Sequence, residues 1–200
     1  ESEIDVQELA FIIGLMDGKL VESDLNIICN NHSVREGLIR TNLFEFQNGY
    51  IRIRHMFYLG PLQQMTFLSA SRKHKIYEIL FNKIELLSVD KFCKAIKKFQ
   101  LAIILKNRQY LKEVWKELIS NLLFQEDYVL AQSLSKDIYN LMEYDFSDSE
   151  LFDILLMSAY CYLKLCDFHS DLLRIYFKEL YNLSSTDAIS PEQIKWYYLL

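Results

Sequence analysis

After Gly60-Pro61 the chain runs for 140 residues without another glycine and with a single further proline, Pro191. Glycine supplies positive φ at no steric cost and proline presets a turn, so a stretch this poor in both has few tight corners. Across the whole chain the two residue types together make up 3.5%, where an average soluble chain carries about 12%. A β-sandwich, a propeller and a disordered tail are thereby excluded, and a mainly α fold is expected. The chain is 200 residues long and 51% apolar, enough for one or two real cores. Its densest apolar run, Leu151 to Leu165, is broken by Asp153, Ser158 and Lys164, and falls short of the roughly 18 to 20 residues that a bilayer demands. A soluble, cytoplasmic protein with no membrane partner is the expectation.

All five glycines, at 14, 18, 37, 49 and 60, lie in the first 60 residues. Charge changes along with them. Lys and Arg against Asp and Glu number 5 against 9 in residues 1–60, 11 against 4 in 61–115 and 6 against 14 in 116–200. Two domains are therefore expected, 1–60 and 61–200, with the boundary at Gly60-Pro61. Because the chain opens at Glu1 with neither a methionine nor a basic-then-apolar leader, it is expected to be a piece of something longer.

Within the first block, Val6, Leu9, Ala10, Ile13 and Met16 recur at helical spacing until Asp17-Gly18 stops them. A short second helix carries Leu25, Ile28 and Cys29. Ser33-Val34-Arg35-Glu36 reads as a capping box opening a third helix that ends near Thr41. The period then changes to two, around Asn48-Gly49, whose residue types suit the positive φ of a type I′ turn. That turn sets Phe46 opposite Ile51, Glu45 opposite Arg52 and Phe44 opposite Ile53, placing apolar pairs on one face and an ion pair on the other. Three helices followed by one hairpin is the winged-helix order.

From Pro61 onward the pattern is helix after helix: about 71–87, 89–105, 109–124, 128–142, 148–165, 168–182, and one beginning at Pro191. Capping boxes stand at Ser147-Asp148-Ser149-Glu150 and Ser190-Pro191-Glu192-Gln193. Broad apolar stripes, such as Val114, Trp115, Leu118, Ile119, Leu122 and Leu123, need neighbours on both sides, as a stacked array provides. Trp115, Leu118, Asp127, Tyr128 and Ala131 match positions of the tetratricopeptide pattern. Leu155, Ala159, Tyr162, Asp167 and Phe168 repeat the match 40 residues later, with Asp171 where a small residue belongs. A tetratricopeptide-like α-solenoid over 61–200 is the expectation.

Motifs for catalysis are missing: there is no GxxxxGK[ST] or GxGxxG loop, no GxSxG elbow and no HExxH helix. Cysteines at 29, 93, 161 and 166 form no CxxC pair and are expected as free thiols. Cys161, Cys166 and His169 diverge too far around a helix to act as joint ligands, so no metal site is expected. Lys91, Lys94, Lys97 and Lys98, with Arg108 and Lys112, make a basic helical face interleaved with Phe92, Ile96 and Phe99. Such a face can meet nucleic acid, although the apolar members more simply turn to the core and the chain as a whole is acidic, at -5. Lys91, Lys94, Lys98 and Arg108 are the candidate partner-binding residues. His55 follows the second hairpin strand, where alternation puts it on the inward face with Ile51 and Ile53.

The run Leu43-Phe44-Glu45-Phe46-Gln47-Asn48-Gly49-Tyr50-Ile51-Arg52-Ile53-Arg54-His55, followed by Ser69-Ala70-Ser71-Arg72-Lys73-His74-Lys75-Ile76-Tyr77 and then helix pairs, resembles the part of STAND signalling NTPases that lies after the ATPase domain. There a winged-helix domain ends in a hairpin and a histidine, and a tetratricopeptide-like or other repeat sensor follows. The histidine of that family's Met-His-Asp motif touches bound ADP and helps hold the resting state; His55 matches its position. The resemblance implies a regulatory and sensor region that is no enzyme by itself and holds no cofactor alone. It implies ADP or ATP in the full-length protein, a protein trigger on the repeats, and a homo-oligomer in the active state. Bacterial defence or transcriptional signalling is the implied setting.

Two other readings stay open. One is a DNA-binding winged-helix regulator with a helical dimerisation or ligand-binding region, for which Ser33 to Asn42 offers only Arg35, Arg40 and Asn42 against Glu36. DNA is therefore not the expected partner. The other is a scaffold of helical repeats.

Overall fold

The Asp5 carboxylate accepts a hydrogen bond from the Glu8 backbone N–H (2.8 Å), and the Glu8 carboxylate accepts one from the Asp5 N–H (3.0 Å). This reciprocal cap starts α1 (Val6–Leu15). The computed structural model of the chain describes residues 4–66, 68–142, 145–167 and 170–200. It divides into two compact units, Glu1–Leu105 and Lys106–Leu200.

In the first unit α1 is buried nearly all round, from Glu8 to Gly14, and so forms the centre. It stops as expected at Asp17-Gly18: both residues have positive φ (58° and 77°), and the Gly18 N–H reaches back to the Ile13 carbonyl at 2.8 Å. Then come β1 (Lys19–Val21), α2 (Glu22–Ile28), α3 (His32–Arg40), β2 (Phe44–Gln47) and β3 (Tyr50–Ile53). The hairpin has the expected register, Phe44 opposite Ile53, Glu45 opposite Arg52 and Phe46 opposite Ile51. Asn48 and Gly49 take the positive φ of its turn, 53° and 76°.

The sheet holds one more strand than the hairpin. β1 pairs antiparallel with β3, Leu20 opposite Ile51, giving the order β1-β3-β2. Three residues are too few for alternation to show in sequence. The α3 cap also differs from expectation, because Asn31 accepts from the Ser33 N–H (3.0 Å) and the helix begins at His32, which leaves Ser33 inside it.

The chain continues through α4 (Leu59–Gln64), α5 (Ala70–Lys83) and α6 (Lys91–Leu105). These do not start a separate body. Leu62, Ile76, Leu80, Ile84 and Leu101 belong to the same apolar core as Leu9, Phe11, Ile13, Leu25, Leu38, Phe44 and Ile51. The change of composition at Gly60-Pro61 therefore falls inside the first unit, and even inside a helix. Proline in a first turn gives up an N–H that has no helical partner anyway, so the pair opens α4 and separates nothing. At Gly14 α4 approaches α1 closely, since a Cβ there would sit 3.0 Å from the Leu62 Cβ.

Polar ties reinforce this unit. The Arg72 guanidinium donates to Glu8 (2.9 Å) and to Asp5. Asp24, fully buried, accepts from both the backbone N–H and the hydroxyl of Ser88, each at 2.8 Å. The Lys83 ammonium caps the Ile27 carbonyl at 2.8 Å.

The second unit holds α7 (Arg108–Phe124), α8 (Tyr128–Met142), α9 (Asp148–Lys164), α10 (Asp171–Leu183) and α11 (Pro191–Leu199); α8 packs on α7, α9 on α8 and α10 on α9, and α11 also packs on α9. The capping boxes at Ser147 and Ser190 both form, the latter with Pro191 in the first turn. Trp115, Leu118, Leu155, Ala159 and Tyr162 are all buried, as is Ala131. Phe168 lies outside the described residues. α7 and α9 end like α1: Glu126 and Cys166 take positive φ (62° and 57°), and the N–H of the next residue, Asp127 or Asp167, reaches back to Leu122 or Tyr162 at 3.0 Å. The described residues hold eleven α-helices, two 3-10 turns and three strands, all three strands before Gly60.

Candidate functional site

β3 ends at Ile53, and the geometry of the next five residues follows from how the chain leaves the sheet. The Arg54 N–H still bonds the Leu43 carbonyl (2.9 Å), and its guanidinium reaches the Phe44 carbonyl (3.2 Å). His55 then caps a single 3-10 turn, Met56–Tyr58, its carbonyl accepting from the Tyr58 N–H at 3.1 Å.

The bend at Arg54 breaks the alternation that placed His55 inward. Ile51 and Ile53 are buried, whereas His55 is exposed, so the inward placement is corrected. The imidazole packs against Tyr58 at 6.3 Å between ring centroids, and among the described residues it has no hydrogen-bond or ion-pair partner. Three apolar side chains follow in water: Met56 is 66% exposed, Phe57 92% and Tyr58 40%. A run like this, beside an unpaired donor and acceptor, offers both apolar area and hydrogen-bonding capacity to a partner. Among the described residues no carboxylate pairs with the imidazole to make it a general base.

The basic face is largely engaged. Lys98 pairs with Glu85 at 2.8 Å and lies over the Phe81 ring, and the Lys94 ammonium donates to the Glu85 carbonyl at 3.0 Å. The Lys98 hydrogen bond, with the nearby charges of Lys94 and Lys91, holds the Glu85 carboxyl below its ordinary range. Lys91 is exposed. Phe99 is buried, as an inward-turned member of this stripe should be. Arg108 belongs to the second unit and pairs with Asp145 at 2.6 Å. Among the described residues, Lys91 alone of the four candidate partner-binding residues is thus left without an ion pair or hydrogen bond.

All four cysteines are free, Cys29 and Cys161 buried and the other two exposed. Burial pushes the Cys161 thiol up to about 12, and a hydrogen bond with Asp90 raises that of Cys93. Neither has the lowered pKa of a nucleophilic thiolate. His169 lies outside the described residues. Among those described, no three His, Cys, Asp or Glu side chains gather to hold a metal ion, and no helix is long and apolar enough to cross a membrane.

Sequence patterns did not reveal two concavities. In the first unit a cleft of about 330 Å³ is lined by Leu15, Met16, Asp17, Gln63, Leu80, Lys97, Gln100, Leu101 and Ile104. In the second, a shallower apolar one of about 270 Å³ lies among Leu123, Leu156, Met157, Tyr160, Trp196, Leu199 and Leu200. Each draws on residues far apart in the chain, which no local motif can signal.

Comparison of the chain with family models, with curated proteins and with solved structures found no match to any of them.

Proposed function

We propose that this chain is the regulatory and sensor region of a STAND-type ATPase. The first unit begins with a winged-helix fold that restrains a nucleotide-binding domain outside the chain, and the second is a tetratricopeptide-like array that binds a protein trigger. The observation that carries the reading is the element order α1-β1-α2-α3-β2-β3 with sheet order β1-β3-β2, ending in His55. That order suits a winged helix with a histidine just past its last strand, which the resemblance to STAND proteins implies.

The exposed run Met56–Tyr58 suits burial against another domain, and the His55 imidazole is free to donate to a diphosphate oxygen of ADP held there. Helices that stack on their sequence neighbours suit a sensor surface. In this reading the chain catalyses nothing alone, works in the cytoplasm and joins a homo-oligomer when the full protein is active.

DNA binding has less support. On α3, the helix that would enter a groove, Arg35 is tied to Asn26 and to the Cys29 carbonyl (3.1 Å), and Arg40 pairs with Glu36 at 3.6 Å. Few free cations remain to neutralise phosphate.

The test is the sequence upstream of Glu1 together with one variant. A phosphate-binding GxxxxGK[ST] loop there, and weakened ADP retention in the full-length His55→Ala protein with its fold intact, support the proposal. No such loop, or unchanged ADP retention, overturns it. Nanomolar, sequence-dependent binding of duplex DNA at near-physiological salt would instead favour a DNA-binding regulator.

A further inference from the structure

The cleft in the first unit joins the C-terminal end of α1 to α4, α5 and α6. Its walls are apolar, from Leu15, Met16, Leu80, Leu101 and Ile104, and its polar groups are few: the amides of Gln63 and Gln100 and the ion pair Lys97–Asp17 at 2.7 Å. An apolar concavity of about 330 Å³ with a few convergent polar groups has the make-up of a small-molecule site, at the small end of the range. The Gln63 amide N–H is spent on the Gly14 carbonyl (3.2 Å), while the Gln100 amide has no partner among the described residues.

The ion pair decides which charge such a ligand carries, because its two members are unequally hydrated. The Lys97 side chain is 21% exposed and that of Asp17 is 64% exposed. A carboxylate ligand that takes the place of Asp17 on Lys97 leaves Asp17 free to return to water at little cost. A cationic ligand that takes the place of Lys97 on Asp17 would instead leave the less exposed of the two side chains without its carboxylate, which is the costlier exchange. The segment 61–115, which supplies most of the lining, carries 11 basic against 4 acidic residues and so also favours an anion.

We propose that this cleft binds a small monocarboxylate with an apolar body, its carboxylate on Lys97 and its hydrocarbon against Leu80, Leu101 and Ile104. This site is independent of His55 and of any nucleotide. Asp17 then acts as a competing internal anion that sets how tightly the ligand binds.

The test titrates the full chain with octanoate, with neutral octanol and with octylammonium, following backbone amide resonances by NMR. Octanoate should saturate with shifts centred on α6 and the Asp17 turn, and bind about tenfold more tightly than octanol. Lys97→Met should bring octanoate down to the octanol level. Ile104→Trp, at a rim position that is half exposed, should block both. Asp17→Asn, which keeps a residue type tolerant of positive φ, should tighten octanoate about two- to fivefold. That gain cannot come from a misfolded variant. No saturable octanoate shift, equal binding of octylammonium, or an unchanged octanoate affinity in Lys97→Met or Asp17→Asn would overturn the assignment.

Discussion

The first unit is tied across long stretches of chain, and the second is built from neighbours. In the first, Arg72 bridges back to Glu8, Ser88 to Asp24 and Lys83 to Ile27, and β1 joins a hairpin that lies two helices downstream. In the second, α7 to α10 each meet the next through apolar and aromatic contacts, and α11 returns to α9. Tyr176 of α10 stands edge-on to Tyr162 of α9 and to Tyr139 of α8, at 5.9 and 5.7 Å between centroids. Tyr139 also donates to Glu179 at 2.7 Å. A body closed by distant ties feels the loss of one tie throughout, whereas a stack passes damage mainly to adjacent layers.

The sharpest way to break this contrast is Trp115→Ala in α7. Its indole is buried and packs on Phe146 at 5.5 Å, so the cavity should cost about 3 to 5 kcal/mol. Hydrogen exchange should speed up most in α7 and α8 and least in α10. A loss below about 1 kcal/mol, or an equal effect on every helix of the unit, would show that the stack is not organised by neighbours.

Asp24→Ala tests the other unit. It removes both bonds to Ser88 from a buried position and should cost about 1 to 3 kcal/mol by denaturant titration, with exchange rising in α1, α5 and α6 together. Exchange confined to α2 would mean that the ties act locally.

Alkaline pH should act on the second unit. Burial raises the Cys161 thiol from 9.0 and the Tyr176 phenol from 10.0, each to about 12. The unfolded chain therefore gives up these protons first. The stability that the neutral groups allow is complete below about pH 9 and is lost as pH rises toward 12. The slope should approach roughly 1.4 kcal/mol per pH unit for each group. Cys161→Ser should flatten the onset near pH 9, and an unchanged curve would mean that the thiol ionises where it sits.

The smallest effect is expected for Glu45→Gln on the hairpin. It breaks the pair with Arg52 (2.6 Å), whose side chains are 36% and 48% exposed, and should cost less than about 1 kcal/mol. A larger loss would give surface charge a share in holding the sheet.

What the sequence disclosed follows the range of each signal. The Asn48-Gly49 turn fixes its register within ten residues, and the boxes at Ser147 and Ser190 close within four, so both are legible locally. Phe46 shows the limit even there: its pairing with Ile51 is as read, yet it is 37% exposed because a hairpin tip extends past the core. β1 needs a partner some thirty residues away, and α4 hides behind a Gly-Pro pair that reads as punctuation. The Ser33 box lost to Asn31, which stands two residues earlier with an equally good acceptor. Alternation puts His55 inward only if the strand continues, and the bend at Arg54 ends it. The cleft was illegible, since four helices contribute to it and only tertiary structure brings Asp17 to Lys97.

The three helix ends closed at Asp17, Glu126 and Cys166 bear on how the protein moves. For a residue with a Cβ, the left-handed region is a small, steep-walled well, whereas glycine ranges over a broad basin on the same side of the map. A joint made at such a residue has little angular play. Loads on α7 are therefore passed through Glu126 to α8 as rotation of the pair, with little taken up by bending at the connection. α7 and α8 are hinged stiffly, so a ligand pressing on one is expected to turn the other.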